Sequence, residues 1–175
     1  PGVNGGELFK EETWIVLNSD RGAWMMGGLK TSDREGFQRA VREGSAQDYL
    51  NMIHLSAGDA YHIPPGTLHA LGPGLKILEV QSNCDVTYRL YDWGRLGSNG
   101  KPRELHIDRG LDSVDWEDPG QPARIGRGDV FESQKLKARY SIKRISGRRE
   151  ISLSGGACFF LAEGSIDLDP CLNST

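Results

Sequence analysis

The sequence predicts an all-β fold interrupted by one small helical insertion near residues 32–50. Three observations carry that expectation. From Asn51 onward, strand-like runs (Met52–Leu55, Ala60–Ile63, Leu75–Gln81 and Val86–Trp93) follow one another at short spacing, separated by turn signals such as Pro73-Gly74 and Ser98-Asn99-Gly100. The chain is rich in turn formers, with 23 Gly and 8 Pro in 175 residues. Only one stretch carries a clear helix start.

In chain order, residues 1–9 are Gly-rich and loop-like. Thr13–Leu17 is apolar and β-branched, as a buried strand requires, and Ala23–Leu29 is expected to be its antiparallel partner across the Asp20-Arg21-Gly22 turn. Ser32 followed by Glu35 reads as a capping box, with Asp33 favourable to the dipole of the first turn. Phe37, Ala40 and Val41 then form an apolar stripe at helical spacing, and Gly44 ends the helix. Ala46–Leu50 adds a short helical piece before the strands begin. Asp108–Val114 fits a short helix or an extended arm, and the Pro/Gly-rich stretch 115–128 reads as a linker. Two domains follow: residues 1–115 as the site-bearing barrel, and 116–175 as a β-rich extension or a second partial barrel.

Charge and cysteine content narrow the function classes. The net charge of −3 gives no global field for nucleic acid or membrane. No run of 18 apolar residues and no basic-then-apolar leader is visible, so neither a membrane span nor a secretory signal is expected. Cys84, Cys158 and Cys171 are odd in number and widely spaced, consistent with reduced thiols in the cytoplasm. Between Arg124 and Glu150 nine basic residues face three acids. From Lys135 to Lys143, however, charged and apolar residues alternate with period two, which reads as a solvated strand face rather than a nucleic-acid surface. Leu153–Leu161 shares with Leu55–Ile63 the order apolar residue, Ser, Gly-containing turn, aromatic strand, which suggests two similar β-units.

The most informative segment is 59–69, Asp-Ala-Tyr-His-Ile-Pro-Pro-Gly-Thr-Leu-His. A short strand meets a Pro64-Pro65-Gly66 corner, and His69 follows it. Proline fixes its own φ and glycine permits conformations closed to other residues, so the corner sets where the imidazole points. His69 is either a hydrogen-bonded structural group or a ligand aimed into the interior. Glu12 shares a strand face with Lys10, Trp14 and Val16, and Glu79 shares one with Ile77 and Gln81. Thr87, Arg89 and Tyr91 are expected to share a face of the next strand. A buried Glu or Arg must pair or meet a ligand, which leaves a Glu79–Arg89 ion pair or a site as the alternatives. Arg also offers a planar fork suited to phosphate.

These residues resemble a known family. Gly58–Ala70, Leu78-Glu79-Val80-Gln81, Asp85–Arg95 and Arg103–Ile107 look like the corresponding motifs of type I mannose-6-phosphate isomerase of the short bacterial kind, and Lys10–Trp14 resembles that family's Gly-Lys-Thr-Glu-x-Trp strand. The likeness is dense from about residue 8 to residue 115. It implies a cupin-type double-stranded β-barrel (jelly roll), a Zn2+ ion, and interconversion of mannose 6-phosphate and fructose 6-phosphate. By match of motif, Glu12 and His69 would be zinc ligands, Arg89 the catalytic arginine, and Lys10 and Glu79 substrate-binding residues. The general base stays open among Glu79, His62 and a metal-bound water. The family's upstream Gln-x-His-Pro segment, which supplies a further ligand, has no counterpart here, and Phe9 and Glu11 replace its Gly and Thr. The expectation is therefore an N-terminally truncated isomerase. The competing expectation is a non-catalytic cupin module that binds a sugar or sugar phosphate. The partner in either case is a small molecule, not nucleic acid or membrane, and the oligomeric state is left open.

Overall fold

The computed structural model describes residues 10–117 and 119–126, together with the isolated position 142. The expected alternating strand at 135–143, the hairpin near 151–160 and the extension to residue 175 lie outside the described residues, apart from that one position.

Among the described residues seven strands form two sheets, as the all-β expectation requires. Strands β1 (Glu12–Ser19), β4 (Ala60–Ile63), β6 (Leu75–Gln81) and β7 (Ala123–Ile125) make a four-stranded antiparallel sheet in the order β6-β1-β4-β7. Strands β2 (Trp24–Leu29), β3 (Leu50–His54) and β5 (His69–Leu71) make the second, in the order β3-β2-β5. Among the described residues no strand pairing closes the two sheets into a barrel. They instead share a core. Trp14, Val16, Tyr61 and Ile63 from the first sheet meet Met25, Ile53 and Leu71 from the second, with Leu55 beside them.

One expectation about connectivity fails. β2 does follow the Asp20–Gly22 turn, but it pairs with β3 and β5 rather than with β1. The chain crosses between sheets at that turn, where the Ala23 N–H bonds the Asp20 carbonyl at 3.1 Å. Both strands carry an apolar inward face, and facing sheets bury both.

Helix α1 (Arg34–Glu43) is the expected insertion, and a 3-10 turn at Ala46–Tyr49 follows it. Its cap is Asp33 rather than Ser32: the Asp33 Oδ1 accepts the Gly36 N–H at 2.9 Å, satisfying one of the orphan donors of the first turn. Gly44 closes the helix in the left-handed conformation at φ 79°, as its sequence position predicts. Phe37 and Val41 bury against Met26, Leu29 and Leu50 on the other face of the three-stranded sheet. A further helix, α2 (Ile107–Asp112), brings Leu111 to the same cluster.

The largest departure is the stretch after β6. Val86–Trp93 is not a strand; residues 82–106 run as irregular chain with a single isolated bridge, Leu96 to Pro102. Side chains organise it instead. Asp92, 6% exposed, receives the guanidinium groups of both Arg95 and Arg103. The Trp93 Nε1–H donates to Gln47 Oε1 at 2.7 Å, and Trp93 itself sits at φ 52°. Positive φ is rare for so bulky a residue and is held only where surrounding contacts over-determine it. Val86 and Tyr88, which a buried strand would have hidden, are exposed.

The stretch read as a linker contributes β7, and before it a strap lies against the second sheet. Gln121 Nε2 donates to the Leu29 carbonyl at 3.0 Å, and Pro122 lies over Gly27. A Cβ on Gly27 would stand 2.5 Å from the Pro122 Cγ, so only glycine fits there. Gly27→Ala is therefore expected to lower stability by about 1–3 kcal/mol, the usual cost of overpacking, read as a lower urea midpoint with unchanged slope.

Candidate active site

The site forms where the inward faces of the two sheets meet. Glu12 opens β1 and lies opposite Gln81 of β6, while Trp14 lies opposite Glu79. Directly paired residues share a face, so Glu12, Trp14, Glu79 and Gln81 all face the same way. His69 opens β5 in the other sheet, paired there with Gly27 of β2. The corner before it has the pattern of a type II turn: Thr67 N–H bonds the Pro64 carbonyl at 3.2 Å, Pro65 takes the second position, and Gly66 takes the third at φ 76°.

That corner delivers the imidazole across the gap between sheets. His69 Nε2 stands 2.5 Å from Glu12 Oε1, while Nδ1 lies 2.8 Å from the Thr67 carbonyl. Lys10 Nζ completes a charged cluster, 3.0 Å from Glu12 Oε2 and 3.3 Å from Glu79 Oε1. Four of the five residues singled out in the sequence thus converge: Lys10, Glu12, His69 and Glu79. The fifth, Arg89, is held elsewhere. Its Nη1 donates to the Glu104 carbonyl at 3.1 Å, and its backbone N–H donates to His106 Nδ1 at 3.2 Å. Among the described residues it makes neither the alternative Glu79 ion pair nor any other. It also stands on the irregular 82–106 segment, so the strand face shared with Thr87 and Tyr91 does not exist.

The electrostatics follow from the packing. Burial pushes the Glu12 carboxyl up, but the His69 imidazole, Glu79 and the Lys10 ammonium outweigh it and hold the group at about 2. Burial, and then the Glu12 carboxylate beside it, push the Glu79 carboxyl up against the pull of Lys10. Burial lowers Lys10, yet the two carboxylates more than offset this and raise it. The result is a Glu12 that stays ionised beside a Glu79 whose carboxyl is pushed the opposite way, two carboxyls driven apart as site carboxyls commonly are.

His62 belongs to a different environment. It pairs with Thr13, and residues 12 and 13 point to opposite faces, so the His62 ring lies on the far side of the sheet from Glu12. It is 1% exposed and its Nδ1 lies 3.2 Å from Thr13 Oγ1; burial lowers its pKa against the pull of Glu11. His62 does not reach the Lys10–Glu12–His69–Glu79 cluster.

Sequence reasoning missed Trp14 and Thr67 as parts of the site. The Trp14 indole meets the His69 ring edge-on, with centroids 5.3 Å apart and planes at 82°. Among the described residues its buried Nε1–H has no hydrogen-bond partner, a condition that costs about 1–3 kcal/mol. Thr67 supplies through its backbone the carbonyl that fixes His69, a role no side-chain pattern reveals.

The donor chemistry fits a divalent cation in part. Glu12 offers a carboxylate oxygen and His69 an imidazole nitrogen, and the Nδ1–carbonyl contact of His69 is the arrangement that orients metal-ligating histidines. If Nδ1–H donates to Thr67, then Nε2 and Glu12 Oε1, 2.5 Å apart, have room for a proton between them; to hold a cation, with bonds of about 2.0–2.2 Å to each, the two atoms would move apart. Among the described residues, no group of three or more His, Cys, Asp or Glu is placed to hold a metal.

Away from the cluster, Asp92 provides a pH test. Arg103 holds its carboxyl below the usual range; burial opposes this and Arg95 adds to it. A depressed carboxylate stabilises the fold above its unfolded pKa of about 3.9, and the contribution is lost as pH falls through the folded value. Asp92→Asn is thus expected to be less stable than the parent at pH 7 and to lose less on acidification below about pH 4, measured by urea melts across that range.

Comparison with known proteins places this geometry in context. No protein-family model matches the chain. It is 39% identical over 107 residues to the mannose-6-phosphate isomerase of Streptococcus mutans, covering 61% of this chain and 34% of that protein. It is 35% identical over 119 residues to a mannose-6-phosphate isomerase of Bacillus subtilis, covering 68% of this chain and 37% of the relative. The crystal structure of the mannose 6-phosphate isomerase from Bacillus subtilis superposes with a TM-score of 0.59 at 38% identity, over 63% of this chain and 35% of that one. The chain therefore spans about a third of the length of the curated relatives it matches. Among the described residues no helix is long and apolar enough to cross a membrane. Over the matched stretch the chain is homologous to the type I mannose-6-phosphate isomerases, the family to which its motifs point.

Proposed function

We propose that this chain carries part of the active site of a Zn2+-dependent aldose–ketose isomerase of the cytoplasm, which interconverts mannose 6-phosphate and fructose 6-phosphate. The observation that supports it best is the meeting of Glu12 and His69 at 2.5 Å across two sheets, with Lys10 and Glu79 beside them. The names of the relatives supply the reaction. Residues 1–115 would form the barrel that carries the site, and 116–175 a β-rich extension of that barrel or a second partial one.

Glu12 and His69 would be two protein ligands of the metal, with the remaining donor outside the described residues, since catalytic zinc commonly takes three. When bound, the metal would supply Lewis-acid polarisation of a substrate oxygen. Lys10 would present its ammonium to the sugar oxygens while balancing the two carboxylates. Glu79 would hydrogen-bond a substrate hydroxyl. Arg89 would offset the negative charge of the phosphate or of the enediolate that forms as a proton moves between C1 and C2.

The test is an isomerase assay with and without divalent metal, on this chain and on one extended upstream of Lys10. Metal-dependent turnover in either form, lost in Glu12→Gln, supports the proposal; turnover indifferent to both metal removal and Glu12→Gln refutes it. The lack of a third metal donor among the described residues favours, as a second reading, a non-catalytic module that binds a sugar phosphate. That reading expects sugar phosphate binding with no turnover in either form.

A further inference from the structure

The His69 imidazole is held at two atoms in its own plane, Nδ1 by the Thr67 carbonyl and Nε2 by Glu12. Two in-plane contacts leave one motion open, a tilt about the line joining the two nitrogens. Whatever touches the ring from the side limits that tilt. Trp14 meets it there, edge-on at 82° and 5.3 Å between centroids. Trp14 stands two residues beyond Glu12 on the same strand face, directly opposite Glu79, so one strand supplies both the carboxylate and the wall.

The wall is itself rigid. Trp14 is 5% exposed and packs in the cluster of Val16, Met25, Tyr61 and Ile63. Its N–H finds no acceptor among the described residues, so hydrogen bonding to them does not explain an indole at this position. Its bulk and its T-shaped contact with the imidazole do.

We propose that Trp14 is a positioning residue that fixes the tilt of the His69 ring, and with it the direction in which Nε2 faces the cation held with Glu12. The metal half of this inference rests on the reading above; the ring half does not.

The test compares Trp14→Leu, which removes the aromatic plane, with Trp14→Phe, which keeps one. In metal-free protein, nitrogen-edited NMR reads the His69 Nδ1–H, assigned by its absence in His69→Asn. The parent and the Phe variant are expected to show a slowly exchanging Nδ1–H; the Leu variant is expected to lose it while circular dichroism shows the fold intact. Cobalt(II) titration is expected to show roughly 10-fold or weaker binding in the Leu variant, the range seen when outer-shell partners of metal-ligating histidines are lost, and little change in the Phe variant. A folded Leu variant with the parent's Nδ1–H signal overturns the proposal. If the Leu variant does not fold, Trp14→Met, flexible and without a plane, is read by the same criteria. A parent chain that binds no cobalt(II) would sink the metal reading, while the Nδ1–H signal would still decide the role of Trp14.

Discussion

If the proposed function holds, replacing Glu12 with glutamine is expected to weaken metal binding by roughly 100-fold or more and to remove metal-dependent isomerisation, because the proposed role makes it a direct ligand rather than an outer-shell partner. The side chain is 3% exposed and its two oxygens are already divided, Oε1 toward His69 and Oε2 toward Lys10. An amide of the same shape can keep its oxygen toward the ammonium and turn its N–H toward the unprotonated Nε2, so the contacts survive while the negative charge and one ligating oxygen are lost. The charge matters as much as the shape. With the ionised carboxylate gone, Lys10 faces Glu79 alone, and the second influence that raises the Glu79 carboxyl, after burial, is removed. Glu79 in the variant should therefore ionise more readily than in the parent, which carboxyl-carbon NMR would read directly. Metal content after dialysis is the decisive measurement. A variant that keeps one metal per chain would show that Glu12 is a structural ion-pair partner and not a ligand.

How much of this arrangement the sequence revealed depended on whether backbone regularity or side-chain bonding organised each segment. Glu12, Glu79 and their neighbours lie on regular strands, where period two alone assigns faces, and the expected sharing of a face by Glu79, Gln81 and Ile77 appears as read. His69 was legible because Pro65 and Gly66 leave few ways to turn the chain. Arg89 was not. Val86–Trp93 has the β-branched and aromatic composition of a strand, yet its order comes from Asp92 gripping two arginines and from Trp93 reaching Gln47, contacts between residues 3 to 46 positions apart. No local pattern encodes such contacts. The crossing from β1 to β2 was hidden for a related reason: a tight turn between two apolar runs looks the same whether the runs pair or enter facing sheets.

The irregularity of that segment makes Arg89 the second position with a large expected effect. Arg89→Ala should reduce turnover by about 10²- to 10³-fold, the range found when a preorganised donor to developing negative charge is removed, while metal content stays at the parent level. The guanidinium spends one bond on the Glu104 carbonyl and, among the described residues, has no carboxylate paired with it. An arginine that is half-buried without a counter-ion suits an incoming anion, because it need not first release an internal partner. Its backbone is fixed on both sides of the peptide unit, with the N–H donating to His106 Nδ1 and the carbonyl accepting from the His106 N–H at 2.7 Å, so truncating the side chain should leave the loop in place. Arg89→Lys keeps the charge but loses the planar fork. It should recover part of the activity if the arginine acts through charge, and almost none if it grips a phosphate through two parallel hydrogen bonds. Saturation kinetics separate the two roles: loss confined to KM indicates phosphate binding, and loss in kcat indicates stabilisation of the enediolate. Parent-like kinetics in the alanine variant would remove Arg89 from the site and leave Lys10 as the described cation that faces the substrate.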